Sequence, residues 1–432
     1  MSAGWPVRQE LPPDTRPPAL ILSGLRRGAL IVFLPVFIAG QAIAWLTYAV
    51  SGWYRPWSWF KIGLAQTLAS VRVTFTSAHP ATTRLSQALG GGRVTEAVLQ
   101  VAIGALTVAV VVLAFRAGRE QARGLERRPK AAALAGATVG IGFALPMLAI
   151  ALPVSLTFPQ FDVRSLHPVL WQAALLPLVV GSVCGAAGGA AAARGALEET
   201  PTGARLVCAA RGGFTALWFG LALAFIGFLL LAIFQPAATG AYARFVNRSG
   251  GDGAVVLVQH ALLLPNQSSM ILSTSMGAPT TLSVGDHLAA RITLAGIRPV
   301  GSAGSFLATL LGSPRSGIDF PPWYLGFLVV PAAATLVGGR RAGTGSATGR
   351  EALARGSLTG VVYAALCGVT AWAAAVVLPP WAGAIGGSLR LGTDVVPTTL
   401  LALVWGVGGG VAGASLSRRW PEKRPTAPSP PR

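Results

Sequence analysis

The residues of this chain best suited to chemistry are its four histidines. His79, His167, His260 and His287 fall in the segments between long apolar runs. Glu96, Asp162, Asp252, Asp286, Asp319 and Asp394 lie in or beside the same segments. Imidazole and carboxylate together are standard metal ligands. No pair has the His-x-His or His-Glu-x-x-His spacing that would place two ligands on one ion. The expectation is therefore solvated or capped loop residues, with no metal and no cofactor. No Gly-Lys-Ser/Thr phosphate loop, Gly-x-Ser-x-Gly elbow or Cys-x-x-Cys pair occurs either. The chain is expected to have no catalytic residues and not to be an enzyme.

One polar cluster interrupts an apolar run. Val255 to Leu264 is apolar, Pro265-Asn266 breaks it, and Gln267 to Met276 continues at lower hydrophobicity as far as Gly277. Each piece is too short to cross a hydrocarbon core of about 30 Å. Two readings stand. A broken helix could dip into the bundle, where irregular backbone is tolerated only against protein or water. A surface helix followed by a loop is the other. His260, Pro265, Asn266 and Gln267 are the candidate residues of this broken-helix site.

The elements around these residues are membrane helices. The chain has 432 residues, of which 11% are charged, and its mean hydropathy is +0.60. A soluble chain carries roughly a quarter charged residues. The net charge of +20 does not indicate nucleic acid, because the arginines sit in short loops beside apolar spans, as membrane orientation requires. The three cysteines, Cys184, Cys208 and Cys367, suggest no disulfide framework. Lysine occurs only at 61, 130 and 423; with abundant Ala and Gly, that bias points to a GC-rich bacterial genome.

Eight spans are predicted, near 28–50, 94–116, 131–156, 168–193, 213–235, 322–340, 357–379 and 397–417. Most of the 34 basic residues fall on the side that holds the loops 117–130 and 341–356. Both termini are therefore expected in the cytoplasm of a bacterial inner membrane. Residues 1–24 are Pro-rich and polar, and the apolar run that follows is too long for a signal-peptide core, so the first span is expected to stay attached as a signal anchor. Inside the spans, no acid lies near the middle of any predicted helix. Gln41, Gln100, Ser155, Thr215 and Thr370 are the polar residues at depth. Ion-coupled carriers usually need ionisable groups there.

One stretch occurs twice. Leu178 to Arg194 and Leu403 to Arg419 align without a gap, placing Gly181, Gly185 and Gly188 on Gly406, Gly410 and Gly413. Spacings of four and three put these glycines on one helix face, a groove suited to close helix packing in lipid. The layout repeats around them: helix, long outer segment, helix, basic loop, helix, short outer loop, Gly-rich helix. The fold expected is all-α, with about eight transmembrane helices in two parallel four-helix repeats and amphipathic or re-entrant outer segments. Residues 1–24 form a disordered N-tail and 25–194 the first repeat. A linker covers 195–212. The second repeat is 213–419, with an outer insertion at 236–321, and 420–432 is a disordered C-tail.

In the first outer segment, Phe60, Leu64, Leu68, Val71 and Phe75 step by four or three, with Lys61, Ser70 and Arg72 off the stripe. This predicts an amphipathic helix on the outer interface or on the bundle, its charges toward water. The aromatic cluster 53–60 suits the membrane–water boundary. In the second, Thr281–Val284 and Arg291–Leu294 alternate and could form a hairpin.

Leu262-Leu263-Leu264-Pro265-Asn266, with the moderately apolar run to Gly277, resembles a stretch of PerM-like actinobacterial cell-division membrane proteins. Arg116-Ala117-Gly118-Arg119 is similar in style to the same family. The resemblance implies an integral envelope protein supporting division or wall assembly, with protein partners rather than a substrate. It carries over no functional residue. The function expected is a non-enzymatic envelope or assembly component; the alternative is a permease-like transporter with a path between the repeats. The partners expected are the lipid bilayer and other membrane proteins, and no nucleic acid.

Overall fold

The computed structural model describes residues 17–51, 56–77, 98–158, 163–234, 257–258, 260–284, 287–302, 304–305, 317–378 and 388–419. Residues 53–55 of the aromatic cluster, His79, Glu96, Asp162, Asp252, Asp286, residues 1–16 of the predicted N-tail and all of the predicted C-tail, 420–432, lie outside the described residues. Among the described residues, seven helices are long and apolar enough to cross a membrane. The chain is a multi-pass, predominantly helical, membrane-embedded protein. Internal contacts divide it into two compact units, essentially 1–197 and 198–432, with 248–262 and 379–384 grouping with the first.

The first unit opens with α1 (Pro17–Arg27) and α2 (Leu34–Ser51), joined by a π-helical turn at Gly28–Phe33. The short α3 (Pro56–Ala69) follows, then α4 (Gly104–Gln121), α5 (Pro129–Ala137), α6 (Val139–Ala151) and α7 (Leu170–Ala192). A four-stranded antiparallel sheet caps it, built from β1 (Phe75–Thr76), β2 (Val98–Leu99), β3 (Leu156–Phe158) and β4 (Val163–Pro168). Its order is β2-β1-β4-β3. Its core gathers Val32, Val36, Leu64, Leu68, Phe143 and Met147.

The second unit runs α8 (Pro201–Phe234), the short α9 (Leu264–Ser275), α10 (Val329–Gly343) after a 3-10 turn, α11 (Gly349–Ala374) and α12 (Val395–Arg419). Its strands are β5 (Thr280–Val284), β6 (His287–Thr293), β7 (Gly296–Pro299), β8 (Ile318–Asp319), β9 (Val376–Leu378) and β10 (Leu389–Thr393). They form one sheet in the order β8-β7-β6-β5-β10-β9. In both units the strand after the short helix pairs with the strand before the Gly-rich helix. Phe75 lies opposite Pro168, and Thr280 lies opposite Thr393. The hairpin expected within 280–300 is present as β5 and β6. The helices dominate, as an all-α reading expects, and two small sheets accompany them, with strands mostly too short to show alternation.

Local sequence explains the boundaries. Pro129 sits in the first turn of α5, where its missing N–H costs nothing. Thr348 caps α11 by accepting from the Glu351 N–H at 3.2 Å, and the Glu351 carboxylate reaches back to accept from the Ala347 N–H at 3.1 Å, one residue ahead of the N–H that a capping box would use. The predicted span 94–116 is displaced. Its apolar start pairs as β2, and α4 instead runs on through Arg116, Arg119 and Glu120. At 18 residues, α4 is about 27 Å long.

The repeated glycines, Gly181, Gly185 and Gly188 on α7 and Gly406, Gly410 and Gly413 on α12, lie on the inner faces of their helices. Val179 and Val183 are exposed on α7, as are Leu400 and Val404 on α12, the faces suited to lipid. On the inner face, a Cβ added to Gly185 would collide with the Gly136 carbonyl oxygen. One added to Gly118 or Gly136 would collide with the carbonyl oxygen of Gly185. Three helices, α4, α5 and α7, thus meet backbone to backbone. In the second unit Gly339, Gly356 and Gly410 meet likewise, from α10, α11 and α12. The other pairs match as well. A Cβ at Gly181 would sit 2.8 Å from the Gly140 Cα, and one at Gly406 would sit 2.8 Å from the Gly360 Cα. Gly188 abuts the Phe115 carbonyl and the Arg119 nitrogen; Gly413 abuts the Leu336 carbonyl and the Arg340 nitrogen.

Candidate functional site

Each unit buries one short helix rich in polar side chains. At 14 residues and 12 residues, α3 and α9 are about 21 and 18 Å long, too short to cross a bilayer. The interfacial amphipathic reading of 60–75 is corrected here. Leu64 and Leu68 are buried as expected, but so are Gln66, Thr67, Ser70 and Arg72. The reason is the small residues on the second face. Gly63 lets the Gln41 amide of α2 lie directly over the helix backbone, and Gly40 lets Thr67 close against α2. Both faces of α3 are therefore packed.

The polar groups of α3 bond mostly within the helix. Thr67 Oγ1 donates to the Gly63 carbonyl at 2.8 Å, and Ser70 Oγ donates to the Thr67 carbonyl at 2.6 Å. Such back-bonding lets hydroxyls sit in apolar surroundings. Beyond the helix, Thr74 is held from three sides. Its N–H donates to Gln172 Oε1 at 2.9 Å. Its hydroxyl accepts from Gln100 Nε2 at 2.7 Å. Its carbonyl accepts from the Val169 N–H at 2.9 Å.

In the second unit, α9 does the same work. Asn266 Nδ2 donates to the Ala374 carbonyl at 3.3 Å, docking the start of α9 on the end of α11. Ser273 and Ser275 bond back to the Ser269 and Ile271 carbonyls. Thr274 and Thr280 share a hydroxyl bond of 2.9 Å, and Thr393 lies across the sheet from Thr280. The buried hydroxyls of Ser269, Thr393 and Thr398 have no hydrogen-bond partner. Below them, the Tyr363 hydroxyl reaches Met276 Sδ at 3.7 Å, and Trp405 Nε1 donates to the Met276 carbonyl at 3.2 Å.

The two short helices end in the same hydrogen-bond pattern. In α3, Arg72 N–H donates to the Ala69 carbonyl at 3.1 Å and Val73 N–H to the Leu68 carbonyl at 3.4 Å. In α9, Gly277 N–H donates to the Thr274 carbonyl at 3.0 Å and Ala278 N–H to the Ser273 carbonyl at 3.1 Å. This is the Schellman arrangement, which needs one left-handed residue. Gly277 takes φ +100° freely, whereas in α3 the position is filled by Arg72 at φ +64°. Arg72 is the one non-glycine residue with positive φ among the described residues, and it is 4% exposed. Both its backbone and its buried charge are costly.

The boundary between the two units falls within the broken-helix residues. The break falls at Leu263, just ahead of Pro265 in the first turn of α9. His260 groups with the first unit, while Pro265, Asn266 and Gln267 group with the second. Burial lowers the pKa of the His260 imidazole below its ordinary value. Of the other sequence candidates, His287 opens β6, Asp319 closes β8 and His167 pairs with Thr76 in the first sheet. Among the described residues, no three His, Cys, Asp or Glu side chains lie close enough to hold a metal ion. Sequence reasoning missed Arg72, placing it toward water. Its signal is the matching turn at Gly277, visible only once the strands are registered.

The fold and its buried polar groups define a class: a multi-pass helical membrane protein with a short buried helix in each of two units. The chain matches no protein-family model, and no curated protein or solved structure is significantly similar to it.

Proposed function

We propose that the chain is an internally duplicated, eight-span protein of the bacterial inner membrane, acting without catalysis as an envelope or cell-division assembly component. Three correspondences support the duplication: the order of elements, the pairing of glycines at Gly185 and Gly410, and the paired helix ends at Arg72 and Gly277. Here α4 counts as the eighth span. The observation that carries the function is the glycine seam. Each unit is solid backbone where three of its helices meet, which suits a rigid platform for protein partners. The second sheet, with its added strands β6 to β8, offers such partners a surface. A second reading, a permease with a path between the repeats, is favoured by the partnerless hydroxyls of Ser269, Thr393 and Thr398. A photo-crosslinking residue at His287 or Arg291, which are exposed on β6, separates the two. The platform predicts one discrete protein adduct in cells. Absence of any adduct, with flux of a neutral solute through liposomes holding the purified chain, contradicts it.

Both termini are assigned to the cytoplasm by the basic loops. The check uses Arg127→Cys and Ala347→Cys, made after replacing Cys184, Cys208 and Cys367. A membrane-impermeant maleimide added to intact cells is expected to leave both cysteines unlabelled and to label them after lysis. Labelling of either in intact cells reverses the orientation.

A further inference from the structure

A cavity of about 450 Å³ opens at the C-terminal end of α4, lined by Arg116, Arg119, Glu120, Arg123, Glu126 and Ala192. Arg116, Arg119 and Arg123 recur at three- and four-residue spacing, so they share one face of the helix. The acids among them are already engaged. Glu120 pairs with Arg116 at 3.3 Å, and the Glu126 carboxylate accepts from the Gly124 N–H at 3.1 Å. Three guanidinium groups thus line one pocket against two occupied carboxylates.

Basic residues at a helix C-terminus and in a membrane loop are ordinary. The second unit shows how little those demands require. In the register of the glycine seam Gly118 corresponds to Gly339, so Val337, Arg340, Arg341 and Thr344 stand where the first unit has Arg116, Arg119, Glu120 and Arg123. The arginine wall belongs to the first unit alone.

The same face of α4 continues toward the membrane as apolar surface. Val112 and Phe115 are exposed one turn below the arginines, and Val179 and Val183 are exposed on the neighbouring α7. A soluble phosphate would have no use for that surface, whereas acyl chains would lie on it. Guanidinium forks suit phosphate oxygens bidentately, and basic pockets between membrane helices hold anionic headgroups. We propose that this pocket binds the phosphodiester headgroup of an anionic phospholipid, in whichever leaflet meets the C-terminal end of α4. The inference rests on the chain being membrane-embedded and is independent of the assembly role.

The test is native mass spectrometry of the full chain, purified and exposed to equal phosphatidylglycerol and phosphatidylcholine. Wild type is expected to retain phosphatidylglycerol at least about tenfold better, near 1.4 kcal/mol. Arg119→Gln with Arg123→Gln should erase that preference, and Arg119→Lys with Arg123→Lys should keep part of it. Arg340→Gln with Arg341→Gln, in the second unit, should leave it intact. Equal retention of the two lipids by wild type overturns the proposal, as does undiminished preference in the glutamine variant at its native elution volume. A separate arm measures thermal stability with inorganic phosphate. Stabilisation matching that of phosphatidylglycerol would reassign the pocket to a soluble phosphate and overturn the lipid.

Discussion

Leucine in place of Gly185 or Gly410 is expected to remove most of the folded protein. At each position even a methyl group meets a neighbouring carbonyl, from Gly136 and Gly356 respectively. Overpacking a filled core costs typically 1–3 kcal/mol when side chains can shift. Here the obstacle is backbone belonging to another helix, so the cost should reach about 3 kcal/mol or more. In lipid no apolar driving force between helices offsets it, because close packing itself holds them together. Thermal stability in detergent, read by size-exclusion chromatography, checks this. Conservative changes at Leu178 and Leu403, toward the other end of each helix, should cost little. Native-like stability of Gly185→Leu and Gly410→Leu would return the repeated glycines to coincidence.

Substitution at Arg72 should give the next largest effect, with a difference between variants that isolates the backbone. Arg72→Ala removes a buried charged side chain and the interaction it makes, a loss of about 1–3 kcal/mol. It leaves a Cβ at φ +64°. Arg72→Gly loses the same side chain but relaxes the turn, recovering about 1 kcal/mol of left-handed strain. The glycine variant should therefore melt higher than the alanine variant. At Gly277 the same order of glycine over alanine is expected. Its nearest neighbour for an added Cβ is Leu401 at 3.9 Å, so Gly277→Ala meets no collision and is destabilised by backbone alone. An alanine variant at 72 as stable as the glycine variant would mean that the turn does not need a left-handed residue there.

Much of this architecture was legible in the sequence, for physical reasons. The spans are long apolar runs, and the glycine register survives because only glycine tolerates backbone contact. The β5–β6 hairpin showed through its alternation. The burial of α3 did not. Its apolar stripe at Leu64 and Leu68 is genuine, but the second contact runs through Gly63, and an absent side chain leaves no hydrophobic signal. The pairing of Phe75 with Pro168 was also hidden, since two residues are too few to show alternation and their partner lies far along the chain. The α4 boundary was misplaced because β2 is apolar, and an apolar strand before a span reads as part of it. The break at Leu263, legible from Pro265, coincides with the boundary between the two units.

The central claim is that two equivalent glycines each lock three helices of a duplicated fold, and matched controls within each half test it most directly. Gly408 lies two residues from Gly410 on the same helix, and an added Cβ there meets nothing within 4 Å; the same holds at Gly195, just beyond α7. The measurement is the melting temperature of four purified single variants: Gly185→Leu, Gly195→Leu, Gly408→Leu and Gly410→Leu. The account predicts large and similar losses at 185 and 410, and near wild-type behaviour at 195 and 408. Equal losses at 408 and 410, or a loss at only one of 185 and 410, would contradict it.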